Sequence, residues 1–239
     1  MRLPRVRFTV RRMLAGVAIA AIISYIGAGI WEVVRHGDRL SLQGSCYSSL
    51  NNIALAMSSY SEAHGRFPAP FVADAAGRRV HSWRIKALPW MGLGYSQEAR
   101  YDHAGRWDDP INAGLAADVP GFLLCPSERV DNPHGSPFVM VNDFGDVPVN
   151  RLPRDAILVL EAWGANRNWL DPNDRVESTP RLRVAATDHP AGFGVILRDF
   201  RVVRVRDAGR IRKTGAYYVL DPERGPAWLG RGLRAAEVL

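Results

Sequence analysis

The hydrophobic pattern of this chain changes three times. Residues 13–31 (MLAGVAIAAIISYIGAGIW) carry no charge over nineteen positions, a run long enough to cross the hydrocarbon core of a bilayer as one helix. The run lacks the polar edge that a helix packed into a protein core keeps. Gly37 and Gly44 follow and are expected to kink or fray the stalk. Beyond them Cys46, Leu50, Ile53, Met57, Tyr60 and His64 recur at steps of four and three, which is one continuous stripe on a helix. Ser48, Asn51, Asn52, Ser58 and Ser59 form its wet side. Gly65 offers a left-handed cap, and Pro68 and Pro70 forbid continuation. His64 reads as a packing or capping histidine at the negative helix end.

Residues 69–133 are rich in Pro, Gly and Asp around scattered aromatics (Trp83, Trp90, Tyr95, Tyr101, Trp107). An irregular region of that length needs anchors, and the tryptophans are suited to supply them. Short helices are expected at 83–88 and 110–117. The period then becomes two: 138–141, 157–160, 193–197, 200–205 and 217–220 read as strands. Strands following one helix, without alternating helices, imply an α+β fold with a mainly antiparallel sheet and long loops.

Charge fixes an orientation for the apolar run. Arg2, Arg5, Arg7, Arg11 and Arg12 precede it without an acid, whereas Glu32 and Asp38 mix with Arg35 and Arg39 after it. The bias of basic residues to the inner side keeps that tail in the cytoplasm. Tyr25 and Trp31 lie in the outer part of the run, where amphipathic rings prefer the interface. The expected organisation is a cytoplasmic basic tail at 1–12, a transmembrane helix at 13–34, a stalk and amphipathic helix at 35–65, and one extracytoplasmic head at 66–239, held in the cytoplasmic (inner) membrane. A cleaved secretory signal is the competing reading, since Gly27, Ala28 and Gly29 are small enough for a cleavage site. The uninterrupted length of the run favours retention.

A net charge of +7 and a pI near 9.9 resemble a nucleic-acid binder only at first sight. Five of those charges belong to the first twelve residues, and a polyanion site needs a clustered basic face that the remainder does not promise. The basic run at 198–213 interleaves Arg with Val and Ile and reads as a strand with one solvated face. Cys46 and Cys125 stand 79 positions apart in no CxxC arrangement, which excludes a cysteine-cluster zinc site. Outside the cytoplasm a disulfide between them is permitted. Two buried free thiols are the default, since spacing alone does not bring their Cα atoms within bridging distance.

The blocks CYSSLNNIALAMSSYSEAHGRFPAPFVAD (46–74), HSWRIKALPW (81–90), RWDDPIN (106–112) and FLLCPSE (122–128) resemble successive blocks of a bacterial prepilin-like family of unknown function, domain of unknown function 1559. His189 followed after nine residues by Asp199 is similar to that family's H-x9-D-G motif. The resemblance covers about residues 46–206. It implies a relation to type IV pilins and type II secretion pseudopilins: one long helix that begins in the membrane and lays its outer half on an antiparallel sheet. Two departures stand out. Pilins are processed after a Gly preceding F-T-L-x-E, whereas here Phe8, Thr9 and Val10 follow Arg7, and Arg12 occupies the acidic position. A cation there opposes the attraction that pilin assembly uses within the membrane, so loss of processing and of pilin-like polymerisation is expected. Phe200 replaces the motif's Gly, which suggests another geometry for the turn after Asp199.

Candidate chemistry is thin. Asp188, His189 and Asp199 form the tightest titratable cluster and could hold a metal or supply a general base; backbone-bonding turn residues explain them equally and are favoured. Asp171, Asn173, Asp174 and Glu177 place oxygen ligands at a calcium-like spacing but lack the Gly and distal Glu of an EF-hand loop. Asn142, Asp143, Gly145 and Asp146 look like a turn. No G-x-S-x-G, H-E-x-x-H or P-loop is present in the sequence. The tryptophans 83, 90, 107, 163 and 169 could line a glycan or peptide groove, although core packing is the simpler reading. The expectation is therefore a non-enzymatic, single-span protein without a cofactor, acting as a structural or interaction component of an envelope or secretion assembly. Its partners would be the membrane and other envelope proteins, with no nucleic acid and no identified small-molecule substrate. An anchored binding module for an extracellular solute, peptide or glycan is the alternative, and a metal-dependent hydrolase using Asp188, His189 and Asp199 is the least favoured.

Overall fold

In a computed structural model the described residues are 10–92, 95–125, 135–162, 167–173 and 192–221. The chain forms two compact units, one ending at Leu42 and the other beginning at Gln43. Helix α1 (Val10–His64) is a single element of 55 residues. Gly37 and Gly44, expected to fray it, both lie within its helical span.

In the first unit, Met13–Gly37 is a 25-residue apolar stretch of which none is buried. At 1.5 Å per residue it extends about 37 Å, enough for a hydrocarbon core of about 30 Å. Leu14, Val17, Ile22, Ile23, Ile26 and Ile30 are all more than half exposed. A core helix is thereby excluded, because its apolar side chains would be covered.

In the second unit the first four positions of the predicted stripe form the buried face of α1: Cys46, Leu50, Ile53 and Met57 are each at most 1% exposed, whereas Tyr60 is half-buried and His64 is exposed. Gly65 at φ +70° donates its amide to Ser61 O at 2.8 Å, the left-handed stop that glycine permits. A hairpin follows, β1 (Phe71–Ala73) with β2 (Arg79–Ser82). Its turn is held by Asp74, whose Oδ1 accepts the amides of Ala76 and Arg78, and by Gly77 at φ +76°. Ser82 caps α2 (Trp83–Ala87) by accepting the Arg84 amide. The short helices α3 (Tyr95–Glu98) and α4 (Pro110–Ala113) stiffen the loops; α4 stops four residues short of expectation, at Gly114, where the chain closes into turns.

Next come β3 (Gly135–Ser136), β4 (Phe138–Met140), β5 (Ile157–Glu161), β6 (Arg167–Asn168), β7 (Phe193–Leu197), β8 (Val202–Val205), β9 (Ile211–Thr214) and β10 (Tyr217–Leu220). The main sheet has the order β4-β5-β7-β8, and every neighbouring pair is antiparallel. The fold is α+β. Side chains alternate between two cores, as the pleat requires. Phe138, Met140, Leu158 and Ile196 join the cluster containing Leu50, Ile53 and Met57, whereas Val139, Leu160, Val195, Leu197 and Val205 join one containing Leu220 of β10. A register shift between Ile157 and Val159 interrupts the alternation in β5.

The sheet comes close to α1 at Gly194, where an added Cβ would lie 2.0 Å from Leu50 Cδ1. The β7–β8 hairpin closes through 197–201, so β8 begins at Val202, not at 200. Phe200 is the one non-glycine residue with positive φ among the described residues, at 65°; its amide reaches Leu197 O at 2.8 Å, and Leu197 N reaches Arg201 O at 2.9 Å. The turn thus keeps the left-handed geometry that a Gly would adopt, contrary to the expectation from the substitution. The ring meets Phe67 edge-on at 5.7 Å, a contact that offsets the backbone cost of about 1 kcal/mol.

The default of free thiols is also corrected. Cys46 and Cys125 form a disulfide with Cα atoms 5.1 Å apart, because the buried face of α1 turns Cys46 toward the loop carrying Cys125; Ser49 Oγ beside it donates to Leu124 O at 3.3 Å. Closing a loop of 79 residues corresponds to about 4–5 kcal/mol in the chain-entropy account. Reduction, or the double substitution Cys46→Ser with Cys125→Ser, should lower the urea-unfolding free energy of the head by roughly that amount, read from the shift in denaturation midpoint.

Candidate functional site

The acidic loop contributes no ligand cage among the described residues. Asp171 Oδ1 accepts both the backbone amide and the side-chain Nδ2 of Asn173, each at 2.8 Å, which is a side-chain-capped turn. Asp174 and Glu177 lie outside the described residues, as do Asp188, His189 and Trp163. Asp199, the described member of the proposed cluster, is engaged with Arg201, whose Nε lies 2.7 Å from Oδ2. Its position in the β7–β8 turn is that of a turn-forming carboxylate.

Ligand atoms of Cys46, Cys125 and Glu161 lie within 4.8 Å of one another. Both sulfurs belong to the disulfide, so neither is the thiolate that a zinc site requires. Glu161, 2% exposed, accepts the Gly194 amide at 2.9 Å. Burial pushes the Arg204 guanidinium down from its usual range, while the Glu161 carboxylate opposes that shift.

The family-like blocks act as clamps on the loops. Arg84 is 1% exposed; its guanidinium donates to Ser82 Oγ at 3.0 Å and to Phe138 O and sits 4.9 Å from the Trp83 ring. Asn112 receives the Asp102 amide and donates to Asp102 O and Arg106 O. Asn142 bridges strands by donating to Ile157 O and Tyr218 O while accepting the Tyr218 amide. Burial of such groups demands partners, and these residues find theirs in the backbone of the loops and of strands β4, β5 and β10.

Among the described residues, a groove of about 750 Å³ lies between the C-terminal end of α1, the β1 strand, the α2 region and the 143–146 turn, within the range of small-molecule sites. Tyr60 and His64 stack at 4.1 Å. Trp90 meets both edge-on, at 6.3 and 5.7 Å, so its indole plane is held. Arg66 and Asp146 pair at the same groove, which Lys86, His103 and Asp143 also line. Of the five tryptophans singled out in the sequence, Trp83 and Trp169 are fully buried, Trp107 is half-buried against the core, and Trp90 lines the groove. The polar partners were missed because residues 60 to 146 converge only in three dimensions. Spacing signals α1's periodicity, not what gathers at its end.

Beside the groove, His81 is buried and its Nδ1 lies 2.8 Å from Tyr101 Oη, with the His103 ring 6.2 Å away. Burial first, then the nearby His103 and Lys86, lowers the His81 pKa, and the weaker influence of Asp102 raises it. Burial pushes the Tyr101 phenol up.

These features define an α+β protein with, among the described residues, one helix long and apolar enough to cross a membrane, near the N-terminus. The chain belongs to the family described as "Protein of unknown function (DUF1559)", which it matches over residues 43–175. That segment contains the whole groove lining, whereas His189 and Asp199 lie beyond it. Comparison with curated proteins and with solved structures finds no match.

A histidine whose pKa is depressed by folding binds its proton more readily in the unfolded chain, so stability is full above the ordinary histidine range near 6.5 and falls as pH drops from there toward the folded value. Melting temperature should decline between about pH 7.5 and pH 5.5. His81→Gln should flatten that slope while lowering the plateau; an unchanged slope would show that His81 does not carry it.

Proposed function

We propose that this is a membrane-anchored extracytoplasmic protein of pilin- or pseudopilin-like build, with a structural or interaction role in an envelope or secretion assembly and no catalytic role. The observation that carries this reading is the pairing of an uncovered 25-residue apolar helix with a disulfide in the unit that follows it. Uncovered apolar surface of that extent is favourable in lipid and costly in water, and disulfides persist in oxidising compartments. The arginines before the helix support an inward-facing tail, which puts the head on the outer side of the cytoplasmic membrane. The pilin-like element is the buried stripe of α1 on an antiparallel sheet. Arg12 in the acidic position favours an anchored unit over a polymer.

The groove beside Trp90 favours a second reading, in which the anchored head binds an extracellular solute, peptide or glycan. The two are compatible.

With the full chain in its native membrane, carbonate washing should leave the protein in the pellet, and protease added to intact spheroplasts should remove the head. A head that is cut only after lysis, or a protein released by carbonate, would overturn the anchored outward-facing reading.

A further inference from the structure

We propose that the groove beside Trp90 is a binding site for a neutral oligosaccharide. The inference deepens the binding reading and does not depend on which side of a membrane the head occupies. Trp90 ends a short helical turn that begins at Leu88 and is followed by Met91, which are 1% and 5% exposed; these two anchor the turn in the core, while the indole stays half-buried in the groove. Its perpendicular contacts with the Tyr60–His64 stack fix the ring plane before any ligand arrives. A pre-set aromatic surface stacks against the C–H face of a pyranose with little ordering cost.

The polar groups around it suit a ligand that both donates and accepts. His64 Nδ1 lies 2.9 Å from Tyr60 O; a carbonyl only accepts, so Nδ1 carries the hydrogen and Nε2 of the neutral ring is an acceptor. Asp143 Oδ1 accepts the Gly145 amide, leaving Oδ2 without a protein donor among the described residues. Lys86 Nζ has no protein acceptor among them. Sugar hydroxyls answer both kinds of group.

Charge narrows the class. Arg66 and Lys86 are balanced by Asp143 and Asp146 in the lining, so a polyanion meets two carboxylates and a polycation meets two cations. β1 also borders the groove through Phe71, Val72 and Ala73, and an extended peptide pairing there is the competing occupant. The pre-set face of Trp90, with side-chain donors and acceptors beside it, favours a hydroxyl-bearing ring over a strand's backbone ladder.

The test uses full-length protein in a detergent without a sugar headgroup, titrated with cellohexaose and chitohexaose and read by tryptophan fluorescence and calorimetry. At least one should bind saturably in the submillimolar range, with affinity unchanged in high salt. Trp90→Ala should weaken it roughly tenfold or more, and Trp90→Phe by less than about threefold. If Trp90→Ala fails to fold, Lys86→Ala combined with Asp143→Asn carries the same expected loss. Absence of binding to both sugars, equal binding by a folded Trp90→Ala variant, or saturable binding only of an extended neutral peptide would overturn the proposal. Failure of the spheroplast test would leave this outcome unaffected, and the reverse also holds.

Discussion

The close approach of α1 to the sheet at Leu50 and Gly194 is the constraint on which the head depends. A Cβ at position 194 would fall 2.0 Å from Leu50 Cδ1 and 3.5 Å from Glu161 Oε2, so the buried Leu50 side chain would have to shift to admit one. The glycine amide is bonded to that same buried carboxylate, which holds β7 against β5 where the helix presses. One helical turn before Leu50, Cys46 ties α1 to the loop ending at Cys125. The helix is thus fixed by packing and by a covalent bond on a single face, and the loops are arranged around it.

Much of the head is loop, and long loops need reasons to hold still. Arg84, Asn112 and Asn142 supply them. Each is buried and takes backbone carbonyls or amides as partners, tying the loops to one another and to the strands. The S-W-R and W-D-D-P-I-N blocks are therefore architectural: Ser82 caps, Trp83 fills the core and Arg84 reaches β4. The groove exists because these clamps bring the α2 region and the 143–146 turn to the end of α1.

Strong periodicity was readable and local chemistry was less so. The four-and-three stripe placed the buried face of α1 from Cys46 to Met57, and the runs read as strands placed β4, β5, β7 and β10, although β4, β5 and β7 are buried on both faces and their signal is the continuous apolar run. Gly65 gave the helix stop for the same physical reason that it works in the structure. The β1–β2 hairpin escaped notice because strands of three and four residues show no alternation; its signal lay in Asp74 and Gly77. The run at 198–213, read as one strand, instead divides into β8, a helical turn at Ala208–Arg210 and β9, and Gly215 at φ +60° marks the turn from β9 to β10. The disulfide was undecided because Cys46 and Cys125 meet only once the helix has docked. Phe200 misled because the turn's demand for a left-handed residue outweighed the poor fit of a non-glycine there. Of the groove, only Trp90 was a candidate beforehand; its polar companions come from four separate segments.

A double-mutant cycle between Leu50 and Gly194 tests the account most directly. Leu50→Ala alone should cost about 2–5 kcal/mol through the cavity it leaves, and Gly194→Ala alone should also destabilise. In the double variant the truncated side chain makes room for the new methyl group, so the combined loss should fall short of the sum by about 1 kcal/mol or more. Losses that add to within about 0.5 kcal/mol, or a Gly194→Ala variant as stable as the parent, would mean that helix and sheet do not meet as described.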